Sequence, residues 1–326
     1  MSVDATAMER APSPWTGRTL LRRLALGDEV AHLVTLIFAF AVILLTSLLV
    51  YQLFLNSAPS RHQFGWHFWL SRTWDPVFEH FGAAPFIYGT LVTSAISLLI
   101  AVPLGLAAAV FLSELAPRSI SDTISFLIDL LAAVPSVIFG LLGIFIVVPM
   151  MRTMIGPALK DTLGFLPLFH GPNYGVGFLT AGIVLAIMVV PYIISVSREV
   201  LLTVPRDQRE AALALGATRW ESTWKVVIPW ARTGITGSVF LALARAVGET
   251  MAVTMVIGND PKIVTSLFAP GYTIAAVIAN EFTEATGTLY LSSLIELGLV
   301  LFMITLILNG FARLLILATD RGGGHR

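Results

Sequence analysis

The stretch Asp207–Pro229 reads DQREAALALGATRWESTWKVVIP, a charged segment inside a chain that is otherwise almost all apolar. Asp207-Gln-Arg-Glu210 sets an aspartate three residues ahead of a glutamate, the pattern by which a helix N-terminus satisfies its free backbone amides. Gly216 is expected to end that helix as a left-handed C-cap. Thr218-Arg-Trp-Glu221 repeats the box and starts a second short helix, which is expected to stop before Pro229. Two short helices joined by a glycine bend, between long apolar runs, read as a docking surface. The plainer alternative is a solvated loop.

Composition around that stretch sets the class. Of 326 residues, 56% are hydrophobic and 12% charged, with a mean hydropathy of +0.84; soluble domains carry about 25% charge. There is no cysteine, which excludes disulfides, thiol nucleophiles and cysteine-ligated metals. Net charge is zero and the basic residues are scattered, so membrane lipid is the expected surrounding and nucleic acid is not a partner. His62, His67 and His80 lack ligand spacing, and no metal site is expected. The chain reads as an all-α polytopic membrane protein.

Six spans are expected, at about 33–55, 86–112, 121–150 (interrupted by Pro135-Ser136), 177–196, 234–258 and 289–317, each near or above the ~20 residues that cross a bilayer. A polar segment, 1–31, precedes the first span and holds Arg10, Arg18, Arg22 and Arg23. Within it, Leu20–Leu26 suggests an interfacial helix. The run 33–55 is too long for a cleaved signal and reads as a retained helix. The membrane-spanning body is expected over 32–318, with a polar loop at 205–229 and a tail at 319–326. Residues 56–80 are polar but aromatic (Phe64, Trp66, Phe68, Trp69, Trp74, Phe78), which suits an interfacial anchor or a partner-docking site. Tyr272 to Ala279 is too short to span and reads as a re-entrant or interfacial helix. With the N-terminus in the cytoplasm, fourteen basic residues fall inside, counting Arg313 near the inner end of the sixth span, and five outside (Arg61, Arg72, Arg152, Lys160, Lys262). That bias places both termini and Asp207–Pro229 in the cytoplasm.

Arg245 is the most informative single residue. Thirteen residues separate it from Arg232 on one side and from Gly258 on the other, roughly 20 Å of helix each way. A guanidinium near the midplane costs about 2.5–3.5 kcal/mol. Glu249, four residues on, shares its helical face and can pair with it. The pair either fixes helix packing or presents a cation to an anion path, where an oxyanion would replace the carboxylate as a bidentate partner. Thr90, Thr93, Ser94 and Ser97 lie on one face of the second span; they either bond their own backbone or line that path. Pro103 is expected to kink this span. Asp129, inside the third span, is expected to face other helices or water. With every histidine outside the core spans and no intramembrane partner for Asp129, no catalytic residue is expected. No G-x-x-x-x-G-K-[ST] occurs, so this chain holds no nucleotide site of its own.

Glu210-Ala211-Ala212, then Gly216, then Val226-Val-Ile228-Pro229 resembles the EAA loop of ABC importer permeases, whose usual ending is I-x-L-P. Tyr88-Gly-Thr90, Ala101-Val-Pro103, Leu112-Ser-Glu114, Pro135-Ser-Val137 and Arg245-Ala-Val-Gly-Glu249-Thr-Met-Ala-Val resemble the high-affinity phosphate importer permeases. The last run is more like the PstC type of subunit than PstA. The resemblance covers about Gly82 to Arg313. It implies a type I ABC importer permease fold in a bacterial plasma membrane, forming half of a path for inorganic phosphate. It further implies a second, PstA-like permease, a PstB-like ATPase dimer that binds ATP and Mg, and a PstS-like extracytoplasmic binding protein. The candidate path residues are Arg245, Glu249, Thr90, Thr93, Ser94, Ser97 and Ser136; the candidate ATPase-coupling residues are Glu210, Ala211, Ala212, Gly216, Thr218 and Arg219. A same-family permease for sulfate or molybdate, or an ion-gradient-driven anion transporter, remains an alternative.

Overall fold

The computed structural model describes residues 28–321, with side chains over 30–314. The four N-terminal arginines, the Leu20–Leu26 helix and residues 322–326 lie outside the described residues. Twelve helices are used below: α1 Asp28–Asn56, α2 Ala58–Phe64, α3 His67–Leu70, α4 Ala84–Leu115, α5 Arg118–Ala132, α6 Ser136–Leu163, α7 Phe178–Leu202, α8 Arg206–Ala214, α9 Arg219–Gly248, α10 Met251–Ile257, α11 Ile274–Glu281 and α12 Thr288–Arg321. Six of them (α1, α4, α6, α7, α9, α12) are long and apolar enough to cross a membrane. Helices are what such sequences form, because hydrocarbon offers no water to backbone amides and carbonyls.

The chain divides into two compact units, Met1–Leu55 and Asn56–Arg326. In the first, α1 is apolar all round and exposes Leu36, Phe38, Phe40, Ile43 and Leu45, the composition of a membrane span rather than of an amphipathic surface helix.

In the second unit α7 is the axis. Two thirds of its apolar window is buried, 67%, against 28% for α4 and α6. Small residues let its neighbours close on it. A Cβ on Gly182 would meet Ile96, and one on Gly105 would meet Ile193, so α4 and α7 run parallel in close contact. Gly143 of α6 lies against Val184, and Gly234 of α9 against Val200. The Ser197 and Ser238 hydroxyls are 2.7 Å apart between α7 and α9, a buried polar contact that fixes their register.

The third span is interrupted at Pro135-Ser136, as its sequence suggested, and is two helices. Pro135 is extended (φ −56°, ψ 138°), lacking the amide that a continuous helix would need. The chain therefore splits into α5 and α6, and α6 supplies the span. In α5, Ser121 and Ser125 are buried while Ile120, Ile124, Leu127 and Leu131 are exposed. Its polar stripe thus faces protein, and Asp129 accepts a hydrogen bond from the Ser195 hydroxyl of α7, the helix partner expected for that carboxylate. Pro103 lies inside α4, and α4 ends in a π-helical turn, Phe111–Leu115.

The aromatic connection after α1 is a folded cap. Trp74, Phe81, Phe86 and Tyr290 meet edge-to-face or stacked, with centroids 4.8–6.2 Å apart. Glu281 accepts hydrogen bonds from Trp74 Nε1 at 2.9 Å and the Tyr290 hydroxyl at 2.7 Å. Four residues of α11, Ile274–Val277, are buried, so this short helix is sheltered by protein.

Candidate functional site

The opening stretch differs from its sequence reading in two ways. Helix α8 begins at Arg206 behind Pro205, and Asp207 sits in its first turn without capping it through a side-chain hydrogen bond; proline at the boundary sets the start instead. Nor does the second helix stop before Pro229. A π-helical turn, Thr223–Val227, carries α9 through the proline, with the Ile228 amide reaching back to the Thr223 carbonyl. The wider turn absorbs the proline ring, which a regular turn would not. The expected fifth span, 234–258, is accordingly longer at its start and broken near its end.

The other local expectations hold. Gly216 has φ +85°; its amide bonds the Leu213 carbonyl at 2.9 Å and Ala217 bonds Ala212 at 3.2 Å, a Schellman closure of α8. Thr218 and Glu221 form a complete capping box at the start of α9. Glu210, Ala211, Gly216, Thr218 and Arg219 are exposed and Ala212 is half-buried. Leu215 beside them is 90% exposed and Trp220 54%. A tight, well-capped pair of helix ends that shows apolar side chains outward has the make-up of a docking surface.

From that surface α9 runs on without interruption to Arg245, in its last turn. The expected Arg245–Glu249 pairing on one helical face does not occur. The helix ends at Gly248, and Glu249 is extended (φ −70°, ψ 131°). Its carboxylate instead accepts the Ala252 amide at 3.2 Å, securing the first turn of α10. Arg245 is exposed and has no carboxylate within ion-pair distance among the described residues. Its guanidinium lies 5.8 Å from the centre of the Tyr192 ring of α7, a cation–π contact. The carbonyls at the α9 C-terminus further favour the positive charge. An unpaired planar cation of this kind can take a bidentate oxyanion.

Thr90, Thr93, Ser94 and Ser97 are all buried, at 2% exposure or less, and the structure divides them. Thr90 Oγ1 donates to the Phe86 carbonyl at 2.8 Å and accepts the Ile274 amide at 3.0 Å, tying α4 to α11. Thr93 donates to the Gly89 carbonyl at 2.8 Å. Ser94 and Ser97 have no partner for their hydroxyls among the described residues. None of the four hydrogen-bonds to Arg245. Ser136 opens α6, half-buried behind Pro135.

Three features escaped the sequence reading. Arg209 forks onto Glu114, with Nε to Oε2 at 3.0 Å and Nη2 to Oε1 at 2.8 Å. The only signal was that Glu114 belongs to a motif already noted and Arg209 precedes Glu210. Glu296 of α12 is 2% exposed, with a Ser60 hydrogen bond and Arg61 nearby; a lone glutamate in an apolar run was its signal. Trp220 and Trp224, ring centroids 5.7 Å apart, line an apolar groove with Pro103, Leu106 and Phe111 of α4.

The family model described as "binding-protein-dependent transport system inner membrane component" matches residues 101–320. A phosphate transport system permease protein PstC from Mesorhizobium japonicum is 48% identical over 93% of this chain and 94% of that protein. One from Xylella fastidiosa is 50% identical over 80% and 82% of the two chains. A probable PstC from Methanocaldococcus jannaschii is 38% identical over 90% and 93%. Among solved structures, an inward-facing MetNI methionine ABC transporter has a TM-score of 0.53 at 16% identity, covering 76% of this chain and 99% of that one. A bacterial ABC transporter involved in alginate import has 0.54 at 16%, covering 91% and 97%. The fold is that of ABC importer permeases, and the chain belongs to the binding-protein-dependent transport system inner membrane components.

Proposed function

We propose that this chain forms half of a translocation path for inorganic phosphate, as the PstC-like permease of an ABC importer. The observation that carries the mechanism is the single helix α9. It begins at an exposed, capped docking surface and ends at an unpaired arginine. About 25 residues at 1.5 Å each make a lever of roughly 37 Å. Phosphate as the substrate is supported by relatives named as phosphate permeases over nearly the whole chain.

With no nucleotide motif here, the reading requires an ATPase dimer that holds ATP and Mg and presses on α8 and the first turns of α9. A second, PstA-like permease would complete the path around Arg245, and a PstS-like binding protein would deliver the anion at the far face. Basic residues at the α8 end (Arg118, Arg198, Arg206, Arg209, Arg219) support a cytoplasmic location for that end, in a plasma membrane with both termini inside. Glu249, Ser94, Ser97 and Ser136 are further path candidates. Thr90 and Thr93 contribute through the helix contacts they hold.

The test is the ATPase activity of the reconstituted four-component complex with phosphate, sulfate or arsenate delivered by the binding protein. Stimulation by phosphate and its tetrahedral analogue arsenate, and not by sulfate, is the expected result. Stimulation by sulfate alone would replace phosphate as the substrate, and turnover without any ATPase partner would replace the ABC mechanism.

A further inference from the structure

The ends of α4 and α7 meet α8 at Arg209. Helix α8 buries none of its own residues, so apolar packing does not fasten it to the bundle. Arg209 does. Besides its two bonds to Glu114, its Nη2 donates to the Leu201 carbonyl at 2.9 Å and its Nη1 to the Val204 carbonyl, both at the end of α7. The Glu114 side chain is 8% exposed and that of Arg209 21%. A bidentate fork fixes direction as well as distance. Removing it would leave the buried Glu114 carboxylate without its charged donor.

Glu114 belongs to the π-helical turn that closes α4. We propose that Arg209 is a positioning residue that locks α8 to the ends of α4 and α7, so that a push on α8 reaches α4 as well as α9. The inference rests on the reading of α8 as the element an ATPase moves. Two routes then leave the docking surface. One follows the chain through Gly216 into α9 and ends at Arg245. The other crosses from Arg209 to Glu114 and enters α4, which carries the unpartnered Ser94 and Ser97 hydroxyls. Both walls of the path move together because the cross-link is rigid, whereas the backbone alone would drive only one.

The chain has no cysteine, so two introduced cysteines can be spin-labelled cleanly. Leu99→Cys on α4 (79% exposed) and Gln208→Cys on α8 (exposed) report the separation of the two elements in the assembled complex. With Arg209 intact, one distance is expected in both ATP- and ADP-bound states. Arg209→Gln is expected to make that distance differ between the two states. It should also lower phosphate moved per ATP by about tenfold, the scale of losing charge-assisted hydrogen bonds, while the complex still assembles and hydrolyses ATP. If Arg209→Gln fails to assemble, Glu114→Gln, which leaves both carbonyl bonds in place, is read in the same way. An unchanged distance together with an unchanged phosphate-to-ATP ratio overturns the lock. Should the unmodified complex show no phosphate-stimulated turnover, the transport reading fails, and the label distances still decide the lock.

Discussion

Three local features surround the Arg245 guanidinium: the Tyr192 ring, the carbonyl end of α9, and an exposed position. None of them is a carboxylate partner, and the proposed anion path depends on that. Arg245→Gln removes the cation and retains the hydrogen-bonding amide, so assembly should persist while phosphate uptake into proteoliposomes falls to background; uptake at the unmodified rate would remove Arg245 from the path. Glu249 has a different task from the one its spacing suggested. Because it accepts the Ala252 amide, Glu249→Ala should cost about 1 kcal/mol, the usual loss of a helix-start cap. A thermal-unfolding midpoint identical to that of the parent would contradict that role.

At the scale of elements, the π-helical turn Thr223–Val227 is what makes α9 a lever rather than two helices. Its counterpart is the closure at Gly216, whose positive φ turns α8 back toward α9. No atom lies within 4 Å of a Cβ placed there, so any cost of substitution comes from the backbone alone. Gly216→Ala should be tolerated at about 1 kcal/mol. Gly216→Pro, whose ring requires φ near −65°, should break the turn and leave ATP hydrolysis running without transport. Parallel assays of uptake and hydrolysis on the two variants decide it, and normal uptake by the proline variant would count against a coupling role for this turn.

Across the second unit, polar and glycine contacts specify how the helices meet. A Cβ on Gly89 would come within 2.0 Å of the Tyr272 carbonyl oxygen, a backbone atom that cannot swing aside. Thr90, the next residue, holds the Ile274 amide. Together they seat the segment before α11 against α4. Gly89→Ala should therefore lower the yield of folded complex sharply, by the 1–3 kcal/mol or more typical of overpacking. Recovery of the variant at parental yield and thermal stability would show that α11 is free to shift.

Composition and hydropathy alone determined that the chain is helical and crosses a membrane, since a bilayer core leaves a long apolar segment no other way to satisfy its backbone. Local chemistry also determined the Gly216 closure and the Thr218–Glu221 box, because each depends on a few neighbouring residues. Tertiary structure decided the rest. The interruption at Pro135 was legible, but whether Pro229 breaks a helix or is carried through it depends on what surrounds it; it became part of α9 through a π-helical turn. Periodicity put Glu249 on the face of Arg245, but the backbone turns extended at Glu249 itself, and a face exists only while the helix does. The Arg209–Glu114 fork joins residues 95 positions apart. No local pattern encodes such a contact, since only the packing of α4 and α7 beneath α8 brings the two side chains within reach.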